Sequence, residues 1–422
     1  MKRRDLLASS VGLAGLSLSQ SVGATRPCPP PSLGIGGGIV ASADCAAAVA
    51  TQAPEWFVNM PERTWTTVAA AADDRLRAAA SQPTTFRQAG DIRDLIVAFV
   101  GGTVDQLRGQ MILGCNGGHA AYSGNEMYIC NVRSESPRWT RLNQPSNPIG
   151  GEATNNSLAN FADGNPRSCH TYYRPVFVDG TFWLPSCDAF WNTELSSTAT
   201  YAFSRTRLQW TYHGHGLPGM NLNQGGFYKW PQGPSVFDSD TRLIWNWPQF
   251  NVLSDGSESV YTIHVDTKAI TRYRYRCNFG SCQAAYIPNR RMVVFRTSNG
   301  GIFTMDMTDV STSDTGVPYV RRGNDGSTGT FNGGLVYHRQ SDSLIYWHDY
   351  GANLRRIDLD SWAVTTLEPA IENTTVPGSM PPQGCHGNFN IINEMGNGQA
   401  ALVLILGIDQ PVHVYKLPNV IA

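Results

Sequence analysis

The feature that most constrains the fold of this chain is an arrangement of strands that recurs along its length. Each copy contains an apolar strand, a tight turn, a second apolar strand that ends in polar residues or glycine, a strand bearing Tyr or Phe, and a closing strand. The copies cover residues 94–142, 170–213, 234–276, 283–322, 333–367 and 387–417. Because a four-stranded unit of this size cannot bury both of its faces alone, the copies must pack against one another.

The last copy lacks its fourth strand, and the missing strand predicts how the copies are arranged. The segment RTWTTVA (Arg63–Ala69) precedes the first copy and has the composition of a strand. If it pairs beside PVHVYKL (411–417), it joins the two ends of the chain into a closed ring. The pattern therefore predicts an all-β, six-bladed β-propeller closed by an N-terminal strand. A ring of seven blades and a β-sandwich are the alternatives.

One copy also carries a family motif. The first copy contains the diglycine Gly117-Gly118, followed by Tyr128 and Trp139, and in this it resembles a Kelch repeat. The second copy keeps Tyr201 and Trp210 without the diglycine, and the later copies keep only the strand rhythm. The chain thus resembles the group of propellers that includes Kelch proteins and the central domain of galactose oxidase. That group includes binding scaffolds, oxidases and polysaccharide lyases, so the resemblance implies a fold and leaves the function open.

Composition narrows the class of partner. Charged residues make up 15% of the chain and the formal net charge is −1, whereas phosphate binding needs a strongly basic face. Nucleic acid is therefore not an expected partner. The 42 glycines and 25 prolines suit short strands joined by tight turns.

The N-terminal residues predict export. Residues 1–24 combine a basic head containing Arg3-Arg4, a short apolar stretch and a small-residue exit, which is typical of a signal peptide and resembles the twin-arginine type. No stretch approaches 18 apolar residues, so we expect no membrane span. We expect a linker over 25–55 and a single propeller domain over 56–422, with a short helix near 68–80. The predicted location is the periplasm or the extracellular medium.

All nine cysteines follow the predicted cleavage point, where an oxidising compartment favours disulfides. Proximity along the chain favours the pairs Cys28–Cys45, Cys115–Cys130, Cys169–Cys187 and Cys277–Cys282, although spacing alone leaves the connectivity open. An odd number leaves one thiol over, and Cys385 is the candidate, most simply as a buried and inert side chain.

The predicted strand order brings several polar residues to one mouth of the central channel. First strands begin at this mouth and second strands end there, so several blades contribute side chains to one concave site. The candidate catalytic residues are His119, His170, Tyr172 and His386. The candidate substrate-binding residues are Asn116, Arg167, Trp245, Trp247, Arg296, His348 and Tyr350.

Three functions compete for this site. The first is eliminative cleavage of an acidic, uronate-containing polysaccharide. This reaction needs a cation to neutralise the carboxylate, a base such as His or Tyr, and an acid for the leaving oxygen. The candidate residues supply all three groups without a cofactor. Recognition of a sugar or a protein without catalysis would use the aromatic residues. The third is a metal site, in which imidazoles and Asp349 would hold zinc or copper, and with copper it would be a metal-dependent oxidoreductase of the galactose-oxidase type. Against copper, the pair Tyr337-His338 falls on the opposite face. The oligomeric state is left open.

Overall fold

The structure is a computed structural model of six four-stranded antiparallel sheets, in which the strands follow one another in sequence order within five of the sheets. The prediction of an all-β, six-bladed propeller is confirmed. The structure describes residues 52–84, 90–97, 99–117, 122–146, 161, 163–187, 199–215, 233–247, 260–273, 275, 282–308, 310–311, 318–326, 333–347, 353–370, 375–378 and 385–418.

The first three blades follow one another along the chain. Blade 1 contains β2 (Gly102–Asp105), β3 (Gln110–Gly114), β4 (Met127–Asn131) and β5 (Trp139–Arg141). Blade 2 contains β6 (Val176–Val178), β7 (Thr181–Cys187), β8 (Ala199–Ser204) and β9 (Gln209–His215). Blade 3 contains β10 (Ser235–Asp238), β11 (Leu243–Asn246), β12 (Val260–His264) and β13 (Ile270–Tyr273).

The remaining blades complete the ring. Blade 4 contains β14 (Cys282–Ile287), β15 (Met292–Thr297), β16 (Gly301–Asp306) and β17 (Tyr319–Asn324). Blade 5 contains β18 (Leu335–His338), β19 (Ser343–Trp347), β20 (Leu354–Asp358) and β21 (Val364–Leu367). Blade 6 contains β22 (Phe389–Gly396), β23 (Gln399–Leu404), β24 (Val412–Lys416) and, from the start of the chain, β1 (Trp65–Val68).

The N-terminal strand closes the ring as predicted. β1 pairs antiparallel with β24, with Trp65 opposite Tyr415 and their rings 5.2 Å apart. Behind β24, the buried ammonium of Lys416 donates to the carbonyl oxygens of Phe57, Val58 and Met60 at 2.8–3.1 Å. A buried ammonium is stable only when its donors are satisfied, so these bonds attach the N-terminal segment to the last blade.

Successive residues of the second strand in a blade pack against the blades on its two sides. This burial explains the low charge of the chain. On β11, Ile244 packs into the core shared with blade 2, whereas Trp245 packs into the core shared with blade 4. On β15, Val293 faces blade 3 and Val294 faces blade 5. Because both faces of a middle blade are buried, the strands read as apolar runs rather than as an alternation of apolar and charged residues.

The helices are shorter than the sequence predicted. The structure has α1 (Glu55–Val58), α2 (Leu76–Ala80) and α3 (Asp94–Val97), with 3-10 turns at Ala72–Asp74, Pro288–Arg290 and His386–Asn388. Only the second half of the helix expected near 68–80 is α-helical, because Val68 pairs with Val412 in the closing strand. The run DLIVAFV, expected to be the first strand of blade 1, begins as α3, and the strand itself is β2. A short apolar run fits a buried helix as well as a strand.

The two ends of the ring differ. At one end, which we call the turn face, the strands are joined mostly by short hairpins such as 106–109, 179–180 and 339–342. At the other, which we call the loop face, the innermost strands begin and the described ends of longer connections between blades lie, among them Leu142 and Cys385. Binding and catalytic residues are disproportionately found on such connections. The pair Tyr337-His338 ends β18 at the turn face, as expected.

The disulfide predictions are corrected among the described residues, in which no two cysteines lie at bonding distance. The Cys115–Cys130 pair is wrong because Cys130 lies opposite Met111 in the β3–β4 register, about 13 Å along the strand from Cys115. Cys169 and Cys187 come close without bonding. Burial raises the pKa of the Cys385 thiol to about 12, so this side chain is neutral and unreactive.

Some predictions fall outside the described residues. These are the signal peptide, most of the linker, and the pairs that involve Cys28, Cys45 and Cys277. Among the described residues, no helix has both the length and the apolar character that crossing a membrane requires.

The closing strand gives a first prediction. Trp65 is fully buried between β24 and blade 5, so Trp65→Ala should lower the free energy of unfolding by about 3–5 kcal/mol. Trp56→Ala is the control, since Trp56 is only partly buried at the edge of another core. Urea denaturation followed by fluorescence measures both. An equal loss in the two variants would contradict a special role for the closing strand.

A second prediction concerns acid. His338 is buried beside Ser341, and burial lowers its pKa from 6.5 to about 4. The folded protein therefore binds a proton at His338 less readily than the unfolded chain does. The contribution of His338 to the free energy of unfolding is complete above about pH 6.5 and is lost as the pH falls to 4, by at most roughly 3 kcal/mol. His338→Gln should lose less stability than the wild type between pH 7 and pH 4.5, as measured by urea denaturation. His264→Gln, at a partly exposed histidine, serves as the control.

Candidate functional site

The segment Thr171–Arg174, which leads into β6, crosses the loop-face mouth of the central channel. Its Tyr172 amide donates to Phe99 O of the segment before β2, at 3.1 Å. In return, Gly387 N, just before β22, donates to Tyr172 O at 3.3 Å. Blade 2 is thereby joined to blades 1 and 6. Glycine is required at 101 because a Cβ there would lie 1.7 Å from the carbonyl oxygen of Tyr172.

Tyr173 extends the same segment across the channel. Its hydroxyl donates to Gly333 O, before β18, at 3.1 Å, and accepts from Gln283 Nε2 of β14 at 3.5 Å. Its carbonyl accepts from Ser235 N of β10 at 3.0 Å. Its ring lies 5.1 Å from that of His386. One residue of blade 2, itself only partly buried, therefore contacts blades 3, 4, 5 and 6. Burial raises the pKa of Tyr173 well above its usual value, so the phenol is neutral.

Three of the four predicted catalytic residues meet beside this tyrosine. A hydrogen bond of 3.1 Å joins His170 Nδ1 to Tyr172 Oη, and the ring of His386 lies 5.1 Å from that of Tyr172. Phe99 packs against all three rings at 4.8–5.9 Å. We call Phe99, His170, Tyr172 and His386 the mouth cluster. His170, Tyr172 and His386 are each no more than 2% exposed.

The backbone of the mouth cluster is strained. Phe99, Tyr172 and His386 have φ values of 54°, 45° and 38°, in the left-handed region that bulky residues avoid. Many other positive-φ residues outside this site, such as Asp179 and Asp342, lie in hairpins at the turn face, where this conformation is ordinary. Each strained residue costs of order 1–3 kcal/mol, and such residues concentrate at functional sites.

A polar network supports the cluster from blade 1. Thr171 Oγ1 donates to Asn116 Oδ1 at 2.6 Å, and Asn116 Nδ2 donates to Leu95 O at 3.2 Å. The amide of Gly101 donates to Thr171 Oγ1 at 2.7 Å. Asn116 was predicted to bind substrate, but its amide is buried in this network. The side chain instead holds the segment that carries His170 and Tyr172.

Two buried arginines lie near the cluster. Arg174 donates from Nε to Thr171 O at 3.3 Å, and its guanidinium lies 5.9 Å from the centre of the Tyr172 ring. Arg167, predicted to bind substrate, is buried with its guanidinium 5.4 Å from the ring of Phe161. Arg174 is thus an arginine two residues from Tyr172 whose guanidinium contacts the Tyr172 ring.

Arg296 is engaged elsewhere. Its Nε donates to Asp325 Oδ2 at 2.6 Å in a fully buried ion pair, and its guanidinium lies 4.4 Å from the ring centre of Tyr346. Removing one partner of a buried pair leaves an uncompensated charge, so the pair resists replacement by a ligand. The structure thus places Arg296 in a contact between blades 4 and 5, and its predicted role in substrate binding stays a prediction.

The two tryptophans predicted to stack on a sugar lie in the core. Trp245 and Trp247 are at most 2% exposed and stack on each other at 5.9 Å between blades 3 and 4. Trp247 also packs edge-on against Phe295. Their position at the end of β11 was read correctly, but the side chains turn into the interblade space. Their predicted role in binding a sugar stays a prediction.

The remaining predicted residues lie outside the described part of the chain. These are His119, His348 and Tyr350, together with Asp349 of the alternative metal site. Their predicted roles stay predictions.

The sequence did not reveal Phe99, Tyr173, Arg174 or the buried Glu126. Glu126 accepts a 2.8 Å hydrogen bond from Tyr122 Oη, and burial raises its pKa, which favours the neutral acid. Tyr173 and Arg174 adjoin Tyr172 and could have been included by position. Phe99 was hidden because its segment was read as a regular strand.

Comparisons with known proteins assign the chain to no family. No family model matches the chain, and no curated protein matches it. Among solved structures, it is similar to YjhT, at 12% identity and a TM-score of 0.42, covering 77% of this chain and 98% of that one. It is also similar to a nidogen/laminin complex, at 10% identity and a TM-score of 0.38, covering 66% and 82%. A third, a protein of unknown function from Bacteroides thetaiotaomicron, has 11% identity and a TM-score of 0.32, covering 73% and 94%.

These likenesses are too distant to carry an argument about function. The class of protein rests on the strand pairing: the chain is a six-bladed β-propeller with a strained imidazole and phenol cluster at the loop face.

The strain gives a third prediction. At position 386, glycine relieves the left-handed strain that alanine retains, so His386→Gly should be more stable than His386→Ala by about 1 kcal/mol. Position 388 is the control, because Asn388 lies in the same 3-10 turn without a positive φ. Asn388→Gly should therefore be less stable than Asn388→Ala. Thermal and urea denaturation of the four variants measure both differences, and equal stability at 386 would contradict the strain.

Proposed function

We propose that this protein is an exported, carbohydrate-active propeller of the Kelch type that cleaves an acidic, uronate-containing glycan by β-elimination. The observation that carries the proposal is the mouth cluster, in which blades 1, 2 and 6 hold one phenol and two imidazoles in contact at the cost of backbone strain. The Kelch assignment is supported by the motif of the first repeat, and export by the N-terminal residues.

The cluster contains the groups that elimination needs. Tyr172 Oη takes the proton from the carbon next to the uronate carboxylate while its own proton passes along the hydrogen bond to His170 Nδ1. The electron pair left on that carbon forms the new carbon–carbon double bond as the bond to the glycosidic oxygen breaks. His386, beside Tyr172, donates a proton to the leaving oxygen. The products are one unsaturated sugar end and one new hydroxyl end.

Arginine side chains near Tyr172 favour its role as the base of the elimination. The guanidinium of Arg174 stabilises negative charge that develops on the phenol and on the substrate carboxylate. Among the described residues, Arg174 and Arg167 are buried arginines near the mouth cluster that supply positive charge for a uronate.

A second function is favoured by a specific observation. His170, Tyr172 and His386 are almost fully buried, and the Tyr173 hydroxyl beside them is bonded to Gly333 O of blade 5. A buried cluster at this mouth also serves to close the channel. In this second function, the long connections of the loop face bind a sugar or a protein without catalysis.

A fourth prediction separates the two functions. With the full chain and a panel of polymannuronate, polygalacturonate and glucuronate polymers, Tyr172→Phe should lower kcat at least 100-fold, because it removes the group that moves the proton. Tyr212→Phe, at an exposed tyrosine on β9, is the control and should keep its activity. The ultraviolet absorbance of the unsaturated product measures both.

Each result decides between the functions. Full activity in Tyr172→Phe would overturn the role of Tyr172. Saturable binding of an oligosaccharide, with no unsaturated product from any polymer, would overturn the lyase and support the binding propeller.

A further inference from the structure

Three cysteines from two blades converge beneath the mouth cluster. Cys115 follows β3 of blade 1, Cys187 ends β7 of blade 2, and Cys169 lies in the segment between these blades. Their sulfur atoms lie within 4.8 Å of one another, and all three side chains are fully buried. Residues spread over 72 positions of the sequence therefore place three soft donor atoms around one point.

The backbone holds this arrangement tightly. Cys169 N donates to Cys115 O at 2.9 Å, in a parallel bridge between Asn116 and Cys169 that ties the two blades together. Cys115 itself has a φ of 57°, a strained conformation for a residue that is not glycine. It is held there by a bond from its amide to Glu126 O at 3.2 Å. The chain thus accepts strain at the residue that brings the first sulfur to the other two.

A carbonyl faces the sulfurs. Arg167 O accepts from Cys115 Sγ at 3.0 Å and from Cys187 Sγ at 3.4 Å. The negative end of this peptide dipole is therefore directed at the pair, where it favours a cation close to the sulfurs. The other neighbours form an apolar core that includes Ile112, Met127 and Leu184. Among the described residues, no imidazole or carboxylate joins the cluster.

The spacing fits one metal ion. Three thiolates at about 2.3 Å from a shared ion stand about 4 Å from one another, within the observed limit. A disulfide would need two of the sulfurs at about 2.05 Å, and no described pair has bonded. An apolar, sulfur-only site selects soft ions and disfavours magnesium or calcium, which prefer oxygen.

We propose that Cys115, Cys169 and Cys187 form a binding site for a single thiophilic d10 cation, Cu(I) or Zn(II), at the junction of blades 1 and 2. The ion forms three metal–sulfur bonds and displaces one proton from each thiol to solvent, with no change in oxidation state. The Arg167 carbonyl supplies a fourth, weaker oxygen donor where the ion is Zn(II). The ion then joins the blades and fixes the segment that carries His170.

This proposal is independent of the lyase assignment. The site is separate from the copper or zinc site considered from the sequence, which involved imidazoles and Asp349. It uses no group of the proposed elimination, so a protein that binds the ion without cleaving any polymer still supports it.

The experiment starts from the full chain, reduced and stripped of metal under anaerobic conditions. Cu(I), added as its acetonitrile complex against a chromogenic Cu(I) chelator, forms one arm, and zinc chloride against a chromogenic zinc chelator forms the other. We expect one ion bound per chain in at least one arm. X-ray absorption at the metal edge should show three sulfur neighbours at about 2.3 Å, with an added oxygen for Zn(II).

Matched variants locate the ion. Cys187→Ser should weaken binding at least 100-fold and abolish the rise in Tm that the ion produces in the wild type. Cys130→Ser is the control, because Cys130 is equally buried but lies in the core between blades 6 and 1. If Cys187→Ser fails to fold, X-ray absorption of the wild type decides alone, since it needs no variant.

Four results would overturn the proposal. They are retention of neither ion, a coordination shell without three sulfurs, equal weakening by Cys130→Ser, and a disulfide within the trio that persists after reduction of the folded protein. The last is measured by counting reactive thiols in denaturant before and after reduction.

Discussion

The structure depends on one constraint, which is that the ring must close. Each blade is apolar on both faces, so a blade at an open end would expose a hydrophobic sheet to water. Pairing of β1 with β24 removes that exposure, and burial of Trp65 makes the pairing favourable. Lys416 then fastens the preceding segment to the completed blade.

Closure also explains how the loop face can hold strained residues. Phe99, Tyr172 and His386 belong to three blades whose positions the ring determines, so no single residue can relax without disturbing the others. Tyr173 adds to this restraint because its hydroxyl and carbonyl bind three further blades. Strain that a lone loop would release is therefore retained at the mouth and at Cys115.

The repeat predicted the fold well because strand periodicity and strand order are local properties of the sequence. It predicted six blades, the closing strand and the face at which His170, Tyr172 and His386 meet, since equivalent positions in successive blades converge by symmetry. It failed over 94–97, where an apolar run fits a helix and a strand equally, and the burial that chooses between them comes from other blades.

The sequence by itself determined the ring, its closure and the general position of the mouth cluster, because these follow from the order and alternation of apolar residues. Only the tertiary structure decided which side chains face the channel. It turned Trp245 and Trp247 into the core and paired Arg296 with Asp325. It also placed Cys115, which sequence spacing had paired with Cys130, beside Cys169 and Cys187. The physical reason is that each of these outcomes depends on contacts between blades, which are distant in sequence and become neighbours only when the ring is complete.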